Sequence, residues 1–134
     1  MTWKDIKIAV LQKIFAINGA ELVENDETYS YLAAMPYACN EALALLSITG
    51  GPVTAATPDE YEFDAPNEAV VLIPLYIASQ IYKDDDAGLA GIYRNEFEIG
   101  REEYKTSQVD DPESDDPGGI TSGSGKIVKL GGMS

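Results

Sequence analysis

An all-α fold, a compact bundle of about four helices, is what this sequence predicts, and three observations carry the prediction. Apolar residues recur at helical spacing in four separate stretches. Capping and stop residues bracket several of those stretches. The one region of strand-like composition between them, residues 53–66, holds segments too short to stand alone. A length of 134 residues with 45% hydrophobic content supports one core rather than two full domains. The expected division is a helical domain over residues 1–106 and an acidic, then glycine-rich C-terminal arm over residues 107–134.

The first helix is expected to start at Thr2, with Asp5 three residues on in a capping-box position. Ile6, Val10 and Ile14, with Trp3, Leu11 and Phe15, form its apolar stripe, and Asn18-Gly19 supplies a left-handed stop. The second helix is expected over residues 29–47, where Leu32, Met35, Ala38, Ala42 and Leu45 recur at helical spacing. Pro36 falls inside it and predicts either a kink or a fresh helix start. Gly50, Gly51 and Pro52 close the segment.

Residues 53–66 read as a short irregular loop or weak hairpin around Pro58-Asp59. From Pro66 the chain turns helical again, and residues 69–82 are apolar nearly all round. A helix without a polar face is buried on several sides. It is expected to be the central helix or one that also faces a neighbouring subunit, because a four-helix domain leaves part of such a surface uncovered. Asp84, Asp85 and Asp86 then suit the N-terminus of a fourth helix running to about Thr106, with Leu89, Tyr93, Phe97, Gly100 and Tyr104 on one face. Beyond Ser107 the character changes: residues 110–116 are acidic, and six of the twelve glycines fall in the last seventeen residues.

Charge and composition narrow the function. A net charge of −14, from 23 acidic and 9 basic residues, disfavours a direct grip on nucleic-acid phosphates. The absence of histidine removes the usual general base, the Ser-His and Cys-His nucleophile arrangements and the commonest metal ligand. Cys39, the single cysteine, rules out an intrachain disulfide and reads as a half-buried thiol. The N-terminus carries Lys4, Asp5 and Lys7, unlike an export signal, and the longest apolar run falls short of the about 20 residues that span a bilayer. The sequence therefore predicts a soluble, intracellular, non-enzymatic chain that needs no cofactor.

Two constellations invite chemistry and fail on spacing. The acidic residues 110–116 lack the order of a calcium loop and sit beside two prolines, Pro112 and Pro117. Residues 118–127 contain Gly125-Lys126, yet Ile120 stands where a phosphate-binding loop needs glycine and Ile127 where it needs Ser or Thr. A glycine arm is the better reading. Its segment Lys126, Ile127, Val128, Lys129, Leu130 mixes polar and apolar side chains in a way that suits pairing as a strand on an external edge. Those five residues and Ile120 are the expected partner contacts. Tyr76, Tyr82, Tyr93 and Tyr104, on the third and fourth helices, are the candidates for core or subunit-interface edges.

The order of the pieces adds a resemblance. A capped Thr2-Trp3 start is followed by residues 36–46 with Asn40-Glu41-Ala42 inside. Next come Ile73-Pro74-Leu75-Tyr76-Ile77-Ala78-Ser79-Gln80-Ile81-Tyr82, then Asp84-Asp85, Ala90 and Asn95-Glu96-Phe97-Glu98. Over residues 2–106 this resembles the paired-helix signature of the head-tail connector (adaptor, or head-completion) proteins of tailed bacteriophages. The likeness lies in helix-packing residues rather than in chemistry. It implies a structural virion protein whose copies form a ring, twelve-fold by expectation, joining the portal protein of the head to a downstream neck or tail protein. Such a ring extends the exit channel, DNA passes through without specific binding, and no membrane is involved. The implied location is the virion neck, with assembly in the host cytoplasm, and the implied role of the arm is to reach the portal or a neighbouring copy. A rival of another class is an acidic DNA mimic that inhibits a DNA-binding protein, although the carboxylates do not recur along one helical face.

Removing residues 118–134 is expected to leave a folded helical domain by circular dichroism and to abolish docking to portal rings. Undiminished docking would rule the arm out as the contact.

Overall fold

The computed structural model describes residues 1–109. The chain is all-α, with helices α1 (Trp3–Lys13), α2 (Tyr29–Leu45), the single turn α3 (Asn67–Val70), α4 (Ile73–Tyr82) and α5 (Ala87–Val109). Residues 1–101 form one compact unit, and α5 continues as helix through Val109, slightly past the expected Thr106. No helix among the described residues is long and apolar enough to cross a membrane.

The first four backbone N–H groups of a helix have no partner within it, and in α1 each finds one. The Thr2 hydroxyl accepts from the Asp5 N–H at 3.2 Å, while the Asp5 carboxylate accepts from the Thr2 N–H at 2.9 Å, completing the expected capping box. That bond from the Thr2 backbone holds the Asp5 carboxyl below its ordinary pKa. The Ile6 N–H reaches the Thr2 carbonyl. The Trp3 and Lys4 N–H groups donate to the carbonyls of Tyr61 at 2.8 Å and Asp59 at 3.0 Å, in the loop between α2 and α3.

Both long N-terminal helices stop earlier than glycine signals suggest. In α1 the chain turns at Phe15, whose φ of 62° is left-handed, and the N–H groups of Phe15 and Ala16 donate to the carbonyls of Gln12 and Leu11. This is a Schellman turn on a non-glycine residue. Phe15 is 78% exposed, so it leaves the apolar stripe to which helical spacing assigned it. At the end of α2, Ser47 at φ 58° repeats the device, with Ser47 and Ile48 donating to Ala44 and Leu43. Pro36 neither restarts nor ends α2, which runs through it as one helix.

The expected third helix is divided. Pro74 has no N–H to give the Val70 carbonyl, and its ring would crowd that carbonyl in a continuous helix. The chain therefore makes the single turn α3, passes through Val71 and Leu72, and restarts with Pro74 in the first turn of α4, where a missing donor costs nothing. α4 is the central element, packed on α2 and α1. Ile73, Pro74, Tyr76, Ile77, Ala78 and Ser79 are buried and its other residues half-buried.

α5 closes the unit through four contacts. Phe97 is fully buried with its ring 5.1 Å from that of Tyr76. Gly100 lies where any Cβ would overlap the Leu72 side chain. The Tyr93 hydroxyl donates to the Lys13 carbonyl at 3.0 Å, and Arg101 Nε to the Leu45 carbonyl at 2.9 Å. One helix thus caps the C-terminal ends of two others, where a donor and, for Arg101, a positive charge are both favoured.

Residues 53–66 contain no strand, and the two expected hairpin arms do not pair. Glu62 makes an isolated antiparallel bridge with Thr2 instead. Asn40 on α2 grips the other end of the segment by both its amide atoms. Its Nδ2 donates to the Val53 carbonyl at 2.9 Å and its Oδ1 accepts from the Val53 N–H at 2.8 Å. With Val53 buried, this side chain takes the place of a missing strand partner.

Asn40→Ala leaves both Val53 backbone groups without that partner and is expected to lower unfolding stability by about 1–3 kcal/mol. Urea denaturation checks this, and an unchanged midpoint would show that the loop is held elsewhere.

Candidate interaction surface

The four tyrosines that helical spacing nominates have separate placements. Tyr76 is only 5% exposed, and its hydroxyl donates to Glu41 Oε1 at 3.1 Å. Burial, followed by the bond to Glu41, raises its pKa above the ordinary tyrosine value. The Arg94 guanidinium lies 5.2 Å from its ring centre. Tyr76 is therefore a core residue. Tyr82 and Tyr93 are half-buried and stack with ring planes 3° apart and centroids 6.2 Å apart. Burial raises the Tyr82 pKa as well. Tyr104 lies on α5 after residue 101, outside the compact unit. The arm contacts expected at Ile120, Lys126, Ile127, Val128, Lys129 and Leu130 lie outside the described residues.

Two other tyrosines face solvent. Tyr29 is 72% and Tyr37 75% exposed, and both stand on α2. Tyr29, Ala33 and Tyr37 are four residues apart in turn, so they run along one outward stripe of the helix, with Ala34 and Ala44 also exposed. Glu41 is the only charged residue in α2. In a chain of net charge −14, an exposed helix face that lacks charge and carries tyrosine has the composition of an interface centre. A sequence signal for it existed. The core positions Met35, Ala38 and Ala42 define the inner side, and the opposite side carries tyrosine and alanine where a solvated helix would carry charge.

Two hollows flank this stripe. The larger, of about 610 Å³, lies between α2, the turn before it and the loop after it. Trp3, Leu32, Ala33, Pro36 and Ala55 give it an apolar lining, Tyr29 stands at its edge, and Glu24, Asp26 and Asp59 supply carboxylates. Lys7 answers Asp59 at 2.7 Å and lies 5.6 Å from the Trp3 ring centre. The turn that carries Glu24 and Asp26 is well fixed. Asn25 Oδ1 accepts from the N–H groups of Glu27 and Thr28, and the buried Thr28 hydroxyl donates to the Val23 carbonyl at 2.8 Å. The smaller hollow, about 430 Å³, is bordered by Tyr37, Glu41, Gln80, Lys83 and Asp84.

Chemistry-bearing groups elsewhere have structural partners. Asp86 Oδ1 accepts from the Leu89 N–H at 3.1 Å and caps α5, while Asp84 and Asp85 are exposed in the preceding turn. Among the described residues, no three acidic or cysteine side chains converge where they would hold a metal ion. The Cys39 thiol is fully buried, which pushes its pKa up to about 12 and keeps it protonated and unreactive at neutral pH.

Replacing Tyr29 and Tyr37 together by Ser is expected to change stability by no more than about 0.5 kcal/mol, as for other exposed side chains. Tyr76→Phe should cost about 1 kcal/mol through the lost bond to Glu41. Thermal melts of the variants check both, and a large loss in the double variant would mean that the stripe packs within the fold.

No family model, no curated protein and no solved structure matches this chain, so the surface is defined by its own geometry and residue chemistry.

Proposed function

We propose that this chain is a structural subunit that assembles in many copies into a ring at the head-tail junction of a tailed phage, between the portal and a downstream neck or tail protein. The observation that carries the reading is the order of residues 73–98, which resembles the paired-helix signature of connector proteins. Those residues form two consecutive helices, α4 and α5, whose aromatic residues meet in the pairs Tyr76–Phe97 and Tyr82–Tyr93.

Two properties support an assembly role. The uncharged stripe on α2 is suited to contact with protein, and residues 1–109 hold 18 acidic and only 7 basic side chains. Repeated around a ring, that excess makes the walls negative and repels DNA phosphates, so a genome slides past without sticking. The role needs no catalytic group.

Imaging of the full chain mixed with purified portal rings of tailed phages is the test. The expected result is an added ring coaxial with the portal, with carboxylates outnumbering lysines along its lumen. No added ring, together with inhibition of a nuclease or repressor by the free subunit, would replace the proposal with the DNA-mimic reading. A lumen lined by lysines would remove the sliding role.

A further inference from the structure

The 610 Å³ cleft beside α2 combines an apolar lining with carboxylates at its edge, and only one of those carboxylates is answered. Asp59 pairs with Lys7, whereas Glu24 and Asp26 have no cationic partner among the described residues. Both are exposed, on a turn whose shape is fixed by Asn25 and Thr28. An occupant that satisfies this site brings positive charge and apolar side chains together in one short segment.

Beyond residue 109 the chain contains one such segment. Residues 126–134 carry two lysines and no acidic side chain, and Lys126 and Lys129 bracket Ile127 and Val128, with Leu130 next. In an extended conformation Val128 and Leu130 share a face, because side chains alternate along a strand. We infer that the cleft receives residues 126–130 of a neighbouring copy, with Val128 and Leu130 against Trp3, Leu32, Ala33 and Pro36, and the long side chains of Lys126, on that same face, and Lys129, on the opposite one, extending to the carboxylates of Glu24 and Asp26 at the cleft edge. This rests on the ring reading and names the contact that would join one copy to the next.

Charge argues for another copy as the source. Two copies that approach through residues 1–109 each bring a large acidic excess and repel. Residues 126–134 are the one stretch at the C-terminal end of net positive charge, so they are the part of a copy that an acidic cleft on its neighbour attracts. Reach is sufficient. The chain between Val109 and Lys126 spans up to about 55 Å when extended, more than the about 35 Å diameter of a unit of roughly 100 residues. Each copy then offers one cleft and one segment, two different patches, as a closed ring of head-to-tail contacts requires.

Cysteine cross-linking of the full chain tests this. The native Cys39 is buried and does not compete. One chain carries Ala33→Cys in the cleft, and a second, isotope-labelled chain carries Val128→Cys. Mild oxidation of the mixture is expected to give a disulfide between the two. Its yield should fall at least tenfold when Glu24→Lys and Asp26→Lys are added to the first chain, and recover when Lys126→Glu and Lys129→Glu are added to the second. Ala44→Cys, exposed on the same helix outside the cleft, is the control. Equal yield at Ala44, no product between chains, or a disulfide only within a doubly substituted chain would overturn the inference. A coaxial ring that still forms with the charge-reversed cleft would overturn it and leave the ring proposal standing. Cross-linking without any ring would do the reverse.

Discussion

Everything in this fold is arranged around one requirement, that the apolar helix α4 be packed by the chain's other elements. Its ten residues include no charged side chain. Fully burying an isoleucine or phenylalanine contributes about 1.5–3 kcal/mol, and Ile73, Ile77 and the facing Phe97 are all at zero exposure. α1 and α2 supply two walls, and α5 closes against the side that carries Tyr76. Pro74 sets where this central helix begins, and Gly100 lets α5 approach Leu72 closely enough to seal its start. The closing helix is also tied by polar bonds, since Tyr93 and Arg101 satisfy carbonyls at the ends of α1 and α2. Apolar packing and end-capping therefore act on the same element.

The long loop after α2 is held by borrowed partners instead of a sheet. Its carbonyls at Asp59 and Tyr61 accept the free donors of α1, its Asp59 side chain pairs with Lys7, and Asn40 binds Val53 by both amide atoms. Apart from the Lys7 pair, each bond satisfies a backbone group that would otherwise lack a protein partner, and together they bring the loop against α1 and α2. The cleft exists because of this, since its far wall is residues 54–59. A loop that paired with itself as a hairpin would need no contact with α1, and the wall would stand elsewhere.

Surface chemistry divides along the same lines. Carboxylates crowd the turns and the outer face of α5, where water screens them. The outer face of α2 is free of charge except for Glu41, whose carboxylate already holds the Tyr76 hydroxyl. Protein contact is most favourable where desolvation removes no charge, and that condition selects α2 and its bordering hollows over the rest of the surface. Charge along the whole chain keeps free copies apart, and a contact between them has to overcome that repulsion at one place.

Residue pattern alone determined the helical class, the capping box at Thr2 and Asp5, the acidic start of α5 at residues 84–86 and the all-round apolar character of residues 69–82. These depend on local spacing, on apolar periodicity or on a side chain meeting its own backbone. The exposed tyrosines of α2 were legible too, as the side opposite Met35 and Ala38. What only the tertiary structure decided depends on partners distant in the chain. Tyr76 is a core residue because Glu41 and Phe97 come to it, and Tyr93 is a cap because the end of α1 lies within reach. Phe15 and Ser47 adopt left-handed turns that their side chains do not favour, because the following chain must reverse there. The loop of residues 53–66 packs on α1 because donors at Trp3 and Lys4 were waiting. No sequence window contains both halves of such a bond, and for that reason the cleft came into view only once the chain was folded.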